Sequence, residues 1–515
     1  MRFLASHLLS VLVFLPAAGA VVVALIRRES ETWQKLVGLA VSGAVFVLSL
    51  GMLPRFTDVA SMQLAEHRPW IPAWGISYHV GVDGLSLWLV ILTAFLTPLA
   101  LLGSWSSIER RVKEFVVFML LLEAGMIGVF VALDLFLFYV FWEAMLIPMY
   151  FLIGIWGHER RIYAAVKFFL FTFGGSVLML VAFLVLYKAS GLASFDILTL
   201  ATRPVAPELQ TWLFLACALA FAIKVPMWPL HTWLPDAHVE APTAGSVILA
   251  GVLLKMGAYG FLRIAIPFFP DAALRFAPLI GVLAVVGIVY GALVSMVQPD
   301  LKKLVAYSSV SHLGFVMLGV AALTPTALVG SVYQMLNHGI STGALFFLVG
   351  MLYDRRHTRL ISEFGGLKAV MPWFSAVFLM ISLSSIAVPG FNGFVGEFLI
   401  LVGSWPFSPW MVVVASLGVI LAAGYILWMV KRVFYGEVTN PANRGLHDLT
   451  LHEAAVLVPL VALAVFMGVA SPLFTRRIEP AVQGLVRHVQ THTRPVAATE
   501  VSPPPSPAAP TGVRR

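Results

Sequence analysis

Apolar runs of about twenty residues follow one another almost end to end along this chain. An α-helix needs about that length to cross the roughly 30 Å hydrocarbon layer of a membrane. With no water there to bond a bare backbone, only helices and closed barrels can span it. The runs are continuous rather than alternating, which selects helices. Hydrophobic residues make up 60% of the 515 positions and charged residues 11%, against about 45–50% and 25% in a soluble domain. A soluble fold is therefore excluded. The expectation is an all-α polytopic membrane protein of about fourteen transmembrane helices, with no separate extramembrane domain.

The rest of the composition removes further classes. A single cysteine, Cys217, can form no internal disulfide and cannot hold an iron–sulfur cluster, which takes about four thiolates. The net charge of +8 does not point to nucleic acid, because the basic residues fall in short loops between apolar runs, where they orient a membrane protein. Lipids are the expected surroundings. The basic residues concentrate after odd-numbered spans, as in Arg27, Arg28 and Lys35, or Arg355, Arg356, Arg359 and Lys368. Loops after even-numbered spans hold fewer, among them Arg55, Arg68, Arg203 and Arg263. The positive-inside rule then puts both termini on the outer, periplasmic side, with Arg476 and Arg477 as dissenting charges. The first twenty residues imitate a secretory signal, but the apolar stretch continues to Ile26 before Arg27 and Arg28, so it reads as an uncleaved first span. A full-size chain with an Ala/Pro-rich tail favours a bacterial inner (plasma) membrane over an organelle.

The expected organisation is a three-helix N-terminal segment (1–108), two five-helix units (109–268 and 269–435), a last helix (436–475) and a disordered tail (476–515). Within the first segment, loop 54–83 alternates Trp70, Trp74 and Tyr78 with Pro69, Pro72 and Gly75, as a short ribbon at the outer interface would. The tail is rich in proline from Pro495 onward.

Two interruptions organise the two units. Span seven contains Ala222, Ile223, Lys224, Val225 and Pro226, and span twelve contains Ser385, Ile386, Ala387, Val388 and Pro389. Proline removes the hydrogen bond to the carbonyl four residues back. The Ala222 and Ser385 oxygens then need another partner, and a hydrated pocket would supply one. The two Val-Pro pairs lie five spans apart, and an odd number of crossings reverses direction. Spans four to eight and nine to thirteen therefore read as two inverted five-helix repeats with broken helices at spans seven and twelve, an arrangement that marks an ion or substrate site at the midplane.

Ionisable residues sit well inside the spans: Glu123, Glu143, Lys224, Lys255, His312, His338 and Glu397. Lys224 and Lys255 are the basic residues that this reading leaves outside the loops. Each central charge costs about 2.5–3.5 kcal/mol on an insertion scale. Glu143, Lys224, Lys255 and Glu397 together would cost on the order of 10 kcal/mol, comparable with the net stability of a whole domain. A structural salt bridge would offset part of that, whereas a set spread over six spans reads better as a row of titratable groups for protons. Gly251, Gly257 and Gly260 would let a neighbouring helix close on Lys255. Glu143 is expected to pair with Lys224, and breaking such a pair would change the proton affinity of the ammonium enough to act as a switch. The expected proton order is Lys224, Lys255, His312, His338, Glu397.

The stretch from Lys224 through Pro226, Pro229, His231, Trp233, Leu234, Pro235, Ala237, His238, Glu240, Pro242, Thr243, Gly245 and Ser246 to Lys255, Gly257 and Gly260 closely resembles the signature of the subunit M family. That family is an antiporter-like part of the membrane arm of proton-translocating NADH:quinone oxidoreductase, respiratory complex I. With the span pattern, the resemblance covers about residues 1–475. It implies a proton channel without a redox site of its own, driven by quinone reduction elsewhere. It also implies that NADH, FMN, iron–sulfur clusters and quinone belong to partner subunits, and that other membrane-arm subunits, including the similar L and N subunits, are its neighbours. The family's essential glutamate falls on Glu143, its broken-helix lysine on Lys224, its central lysine on Lys255, its connecting histidines on His312 and His338, and its exit carboxylate on Glu397.

Three alternatives stand beside this reading. A cation/proton antiporter subunit would use the same lysines and carboxylates, but relatives of that kind carry lysine where Glu397 stands. A haem-binding membrane subunit would use His312 and His338 as iron ligands. A passive scaffold would leave the intramembrane charges as an unexplained cost.

Overall fold

Helices that carry polar and charged residues at membrane depth have to be enclosed by other helices, and the three least apolar of the long helices are. In the computed structural model, which describes residues 6–493, the most apolar windows of Thr243–Phe268, Leu301–Ala322 and Pro325–Arg356 are 100%, 94% and 100% buried. Around them stand helices with one face open, as expected where the surroundings are lipid. Among the described residues, eleven helices are long and apolar enough to cross a membrane, so the chain is a helical multi-span membrane protein.

In chain order the helices are α1 (Leu8–Leu25), α2 (Glu31–Leu50), α3 (Leu87–Gly103), α4 (Val112–Val131), α5 (Leu135–Ala144), α6 (Leu146–Trp156), α7 (Arg161–Ser190), α8 (Pro207–Lys224) and α9 (Trp233–Glu240). They continue with α10 (Thr243–Phe268), α11 (Pro270–Met296), α12 (Leu301–Ala322), α13 (Pro325–Arg356), α14 (Pro372–Ser385), α15 (Asn392–Ser404), α16 (Pro409–Phe434), α17 (Leu451–Val469) and α18 (Pro472–His492). Two of the fourteen expected spans correspond to shorter pieces, α3 and then α14 with α15, and expected span seven corresponds to α8 and the turns that follow it. Helix α12 packs between α11 and α13, and α13 lies against α15, so the enclosed helices form one continuous core.

Close approach is built on glycine where the sequence suggested it. A Cβ at Gly257 would lie 2.5 Å from the Phe221 carbonyl oxygen and 2.6 Å from Val225 Cγ2, so α10 touches the last turn of α8 backbone to backbone. At Gly260 it would meet the Phe221 ring at 2.4 Å, and at Gly251 the Leu96 side chain at 2.5 Å. Helix α10 also widens into π turns at Leu249–Leu253 and Phe261–Ala265, on both sides of the segment carrying Lys255.

Loop 54–83 folds as an antiparallel hairpin of β1 (Gln63–Ile71) and β2 (Ile76–Val82). Its turn uses Gly75 at φ 64°, pressed so near the Ala193 carbonyl that no side chain would fit. Asp134 ties the hairpin to the bundle: its carboxylate accepts from the Ser77 backbone at 2.9 Å while capping α5 at Phe136 and Leu137.

The C-terminal expectation needs correction. Residues 476–492, expected to be disordered, belong to α18, whose apolar side buries Phe474, Ile478, Val482, Leu485 and Val489. Those residues recur at the three- and four-residue spacing of one helical face, and that face supplies the stabilisation a polar segment would lack. The proline-rich part from Pro495 onward lies outside the described residues.

Gly257→Val is expected to destabilise the chain by about 1–3 kcal/mol through overpacking. This would be read as a lowered Tm in detergent, while Gly174→Ala, whose Cβ meets nothing within 4 Å, leaves Tm unchanged or raises it.

Candidate functional site

The first interruption begins where α8 ends at Lys224. Pro226 cannot donate, but the Ala222 oxygen is not left to water: the Met227 backbone donates to it at 2.9 Å. The Trp233 indole caps the neighbouring Ile223 carbonyl at 2.9 Å. The expected hydrated pocket is correspondingly small, about 180 Å³ of interatomic space between Pro226, Trp228, Gly287 and Gly314 with no room for a water-sized sphere. The second interruption joins α14 to α15 through Ala387 at φ 58° and Gly390 at φ 96°. It is stapled by the Ser384 hydroxyl, which donates to Asn392 Oδ1 at 2.6 Å.

Lys224 is 1% exposed, and the Nζ has no hydrogen-bond partner among the described residues. It lies 5.3 Å from the Trp142 ring centre and 5.7 Å from that of Phe168, so the charge rests on aromatic faces. The expected ion pair with Glu143 is not formed: among the described residues, no hydrogen-bond partner reaches this ammonium. Trp142, next to Glu143 on α5, takes the place beside it. Glu143 instead interacts with the Ser176 and Tyr139 hydroxyls, leaving Oε1 buried without a partner.

The other four candidates form a linked set. Lys255 Nζ donates to the Ala250 carbonyl within the first π turn and lies 2.7 Å from His338 Nδ1. The His338 and His312 rings are 6.2 Å apart, and His312 Nδ1 is 2.8 Å from Glu397 Oε1. All four residues are buried. The spatial order is Lys255, His338, His312, Glu397, so the two histidines stand in the reverse of their expected order. Helix α13 passes between α10 and α12, which places His338 beside the lysine. The same direct packing of α12 on α13 speaks against a haem between His312 and His338, since a macrocycle would hold these helices apart.

Gln334 and Asn337, which the sequence reading left aside, extend the set. Gln334 Nε2 donates to Glu397 Oε1 at 3.0 Å, and Asn337 Nδ2 donates to Gln334 Oε1 at 3.0 Å and to the Asn392 carbonyl at 2.8 Å. Their signal was available, because Gln334, Asn337, His338 and Ser341 form a polar stripe at helical spacing on α13. His238 is fully buried, stacked on Phe346 at 4.6 Å, with neither ring nitrogen bonded. Glu123 is likewise buried with neither oxygen bonded. Two basic residues read as loop residues are also buried: Arg263, paired with Asp83 at 2.5 Å, and Lys302, whose Nζ donates to the Ala241 carbonyl at 2.6 Å.

The chain matches known proteins over most of its length. Residues 132–422 match the family model "NADH:quinone oxidoreductase/Mrp antiporter, TM", and residues 13–129 match "NADH-ubiquinone oxidoreductase chain 4, amino terminus". The chain belongs to this family. It is 47% identical over 498 residues to NADH-quinone oxidoreductase subunit M of Rhodobacter capsulatus, covering 94% of this chain and 97% of that one. It is 43% identical to NADH-ubiquinone oxidoreductase chain 4 of Arabidopsis thaliana, covering 94% and 98%. Among solved structures, a chain of respiratory complex I from Thermus thermophilus superposes with a TM-score of 0.87 at 34% identity, covering 93% and 99%. A chain of the Mrp complex from Dietzia shares the fold, with a TM-score of 0.83 at 23% identity, covering 94% and 99%.

At the loop end of the core, His158 joins α9 through its backbone, which donates to the Glu240 carbonyl at 3.0 Å, and its ring meets Tyr353 edge-on. Burial, then the nearby charges of Lys302 and Arg359, push its pKa down to about 4. The unfolded chain therefore binds a proton here at higher pH than the folded one. This group's contribution is intact above about pH 6.5 and is lost as pH falls towards about 4. His158→Phe is expected to flatten the fall of Tm between those pH values, measured in detergent against the unaltered chain.

Proposed function

We propose that this chain is the subunit M component of a proton-translocating NADH:quinone oxidoreductase and moves protons through a buried Glu/Lys/His relay. Fourteen crossings arranged as two inverted five-helix repeats, broken between α8 and α9 and between α14 and α15, would bring Lys224 and Glu397 to corresponding places in the two halves. The observation that carries the proposal is the linked row Lys255, His338, His312 and Glu397, with one 2.7 Å and one 2.8 Å contact at its ends. Such contacts are within proton-transfer reach. The identity to subunit M proteins supports assigning these residues to that activity.

In this reading, Glu143 and Lys224 load the proton. Lys224 rests on aromatic faces rather than on a carboxylate, so its charge is poorly compensated and readily surrendered to Lys255. His338 and His312 pass the proton to Glu397, from which it leaves. Electrons are handled elsewhere: NADH, FMN, iron–sulfur clusters and quinone belong to partner subunits, and the neighbours are other antiporter-like membrane-arm subunits. The location is a bacterial inner membrane with both termini on the outer side. Moving one charge through 100 mV requires about 2.3 kcal/mol, well within what changes in local pairing of a buried ammonium can provide.

Lys224→Ala and Glu397→Gln are each expected to lower NADH-driven proton uptake at least about tenfold, measured in sealed membrane vesicles containing the assembled complex. Pumping at the unaltered level in both variants would remove the relay.

A further inference from the structure

An apolar cleft of about 470 Å³ opens on the side of the bundle, away from the polar row. Its walls are Leu50 of α2, Trp88 and Phe95 of α3, and Leu463 and Phe466 of α17, and its floor is Leu336 and Ile340 of α13. Phe466 is 49% exposed at its edge, so the cleft faces outward. From Pro459 to Met467, both lining residues, α17 rises about 12 Å. One end of the cleft lies deep in the bundle beside α13, and the other reaches the start of α18.

At that second end the chemistry changes. Trp88 packs on Phe474 with ring centres 4.6 Å apart, and its indole donates to the Phe474 carbonyl at 3.3 Å. Over the Trp88 ring, at 5.7 Å, stands the Arg477 guanidinium. Its Nη1 donates to the Leu473 carbonyl, and its Nε is buried without a partner among the described residues. Arg476, the next residue, reaches Asp58 only at 3.7 Å, with both side chains about half exposed. The mouth is thus cationic and incompletely neutralised.

We propose that this cleft binds one anionic phospholipid, with an acyl chain along α17 and the phosphate on Arg477. A lipid tail is as apolar as the leucines that line the cleft, so tail burial by itself selects no particular lipid. Selection comes from the mouth, where a guanidinium offers paired donors in the geometry that phosphate accepts. A filled cleft would also brace Leu336 and Ile340, which flank His338 on α13. The proposal stands independently of the proton path.

The test uses the full chain in detergent with added phosphatidylglycerol or phosphatidylethanolamine, read by native mass spectrometry. The unaltered chain is expected to retain one phosphatidylglycerol with about tenfold preference. Arg477→Gln is expected to abolish that preference while still retaining lipid. Leu463→Trp, which fills the cleft, is expected to lose retention of both. Arg487→Gln, elsewhere on α18, behaves as the unaltered chain. Equal retention of the two lipids by the unaltered chain overturns the proposal, as does unchanged preference in Arg477→Gln. So does recovery of a protein segment rather than lipid from a photo-cross-linker at position 466. Arg477→Gln decides the matter even if Leu463→Trp fails to fold.

Discussion

Every polar group placed at membrane depth must find its partner inside the protein, because the surrounding hydrocarbon offers none. That requirement explains the layered plan. The helices carrying Lys255, His312 and His338 are the three that are enclosed throughout. Most of the helices around them keep one side apolar and open. Glu397 follows the same rule on a shorter piece, α15, where its carboxylate points into α12 and α13 and accepts from Gln334.

Enclosure by itself would give a dry core, and the helices are modified to hold polar groups in it. The π turns of α10 place the Ala250 carbonyl where Lys255 can donate to it. Gly257 lets α8 and α10 meet at backbone distance, which brings the end of the helix carrying Lys224 against the segment carrying Lys255. Both interruptions close on themselves through a backbone bond spanning five residues, Met227 to Ala222 in the first and Val388 to Leu383 in the second, and the second adds the Ser384–Asn392 side-chain bond.

The buried ionisable residues fall into two kinds. Lys255 contacts His338 and His312 contacts Glu397, with the two histidine rings 6.2 Å apart and the Nε2 of each left without a partner among the described residues. Lys224, Glu123 and His238 are enclosed with unsatisfied atoms, and unpaired polar groups of that kind are costly.

The helical, membrane-spanning character was determined by the sequence alone, because twenty-residue apolar runs admit no other stable backbone in lipid. The residues worth attention were legible for the same reason: a lysine or glutamate inside such a run is an exception that needs a cause. The close approach at Gly257 and Gly260 was legible from residue size. What pairs with what was decided only by the tertiary structure. Trp142 and Glu143 are adjacent in sequence, yet the indole and not the carboxylate lies beside Lys224. The order of His338 and His312 follows from α13 packing between α10 and α12, and a list of residues along the chain contains no such neighbour relation. The burial of Arg263 and Lys302, and the folding of residues 476–492 into α18, depended likewise on partners distant in sequence.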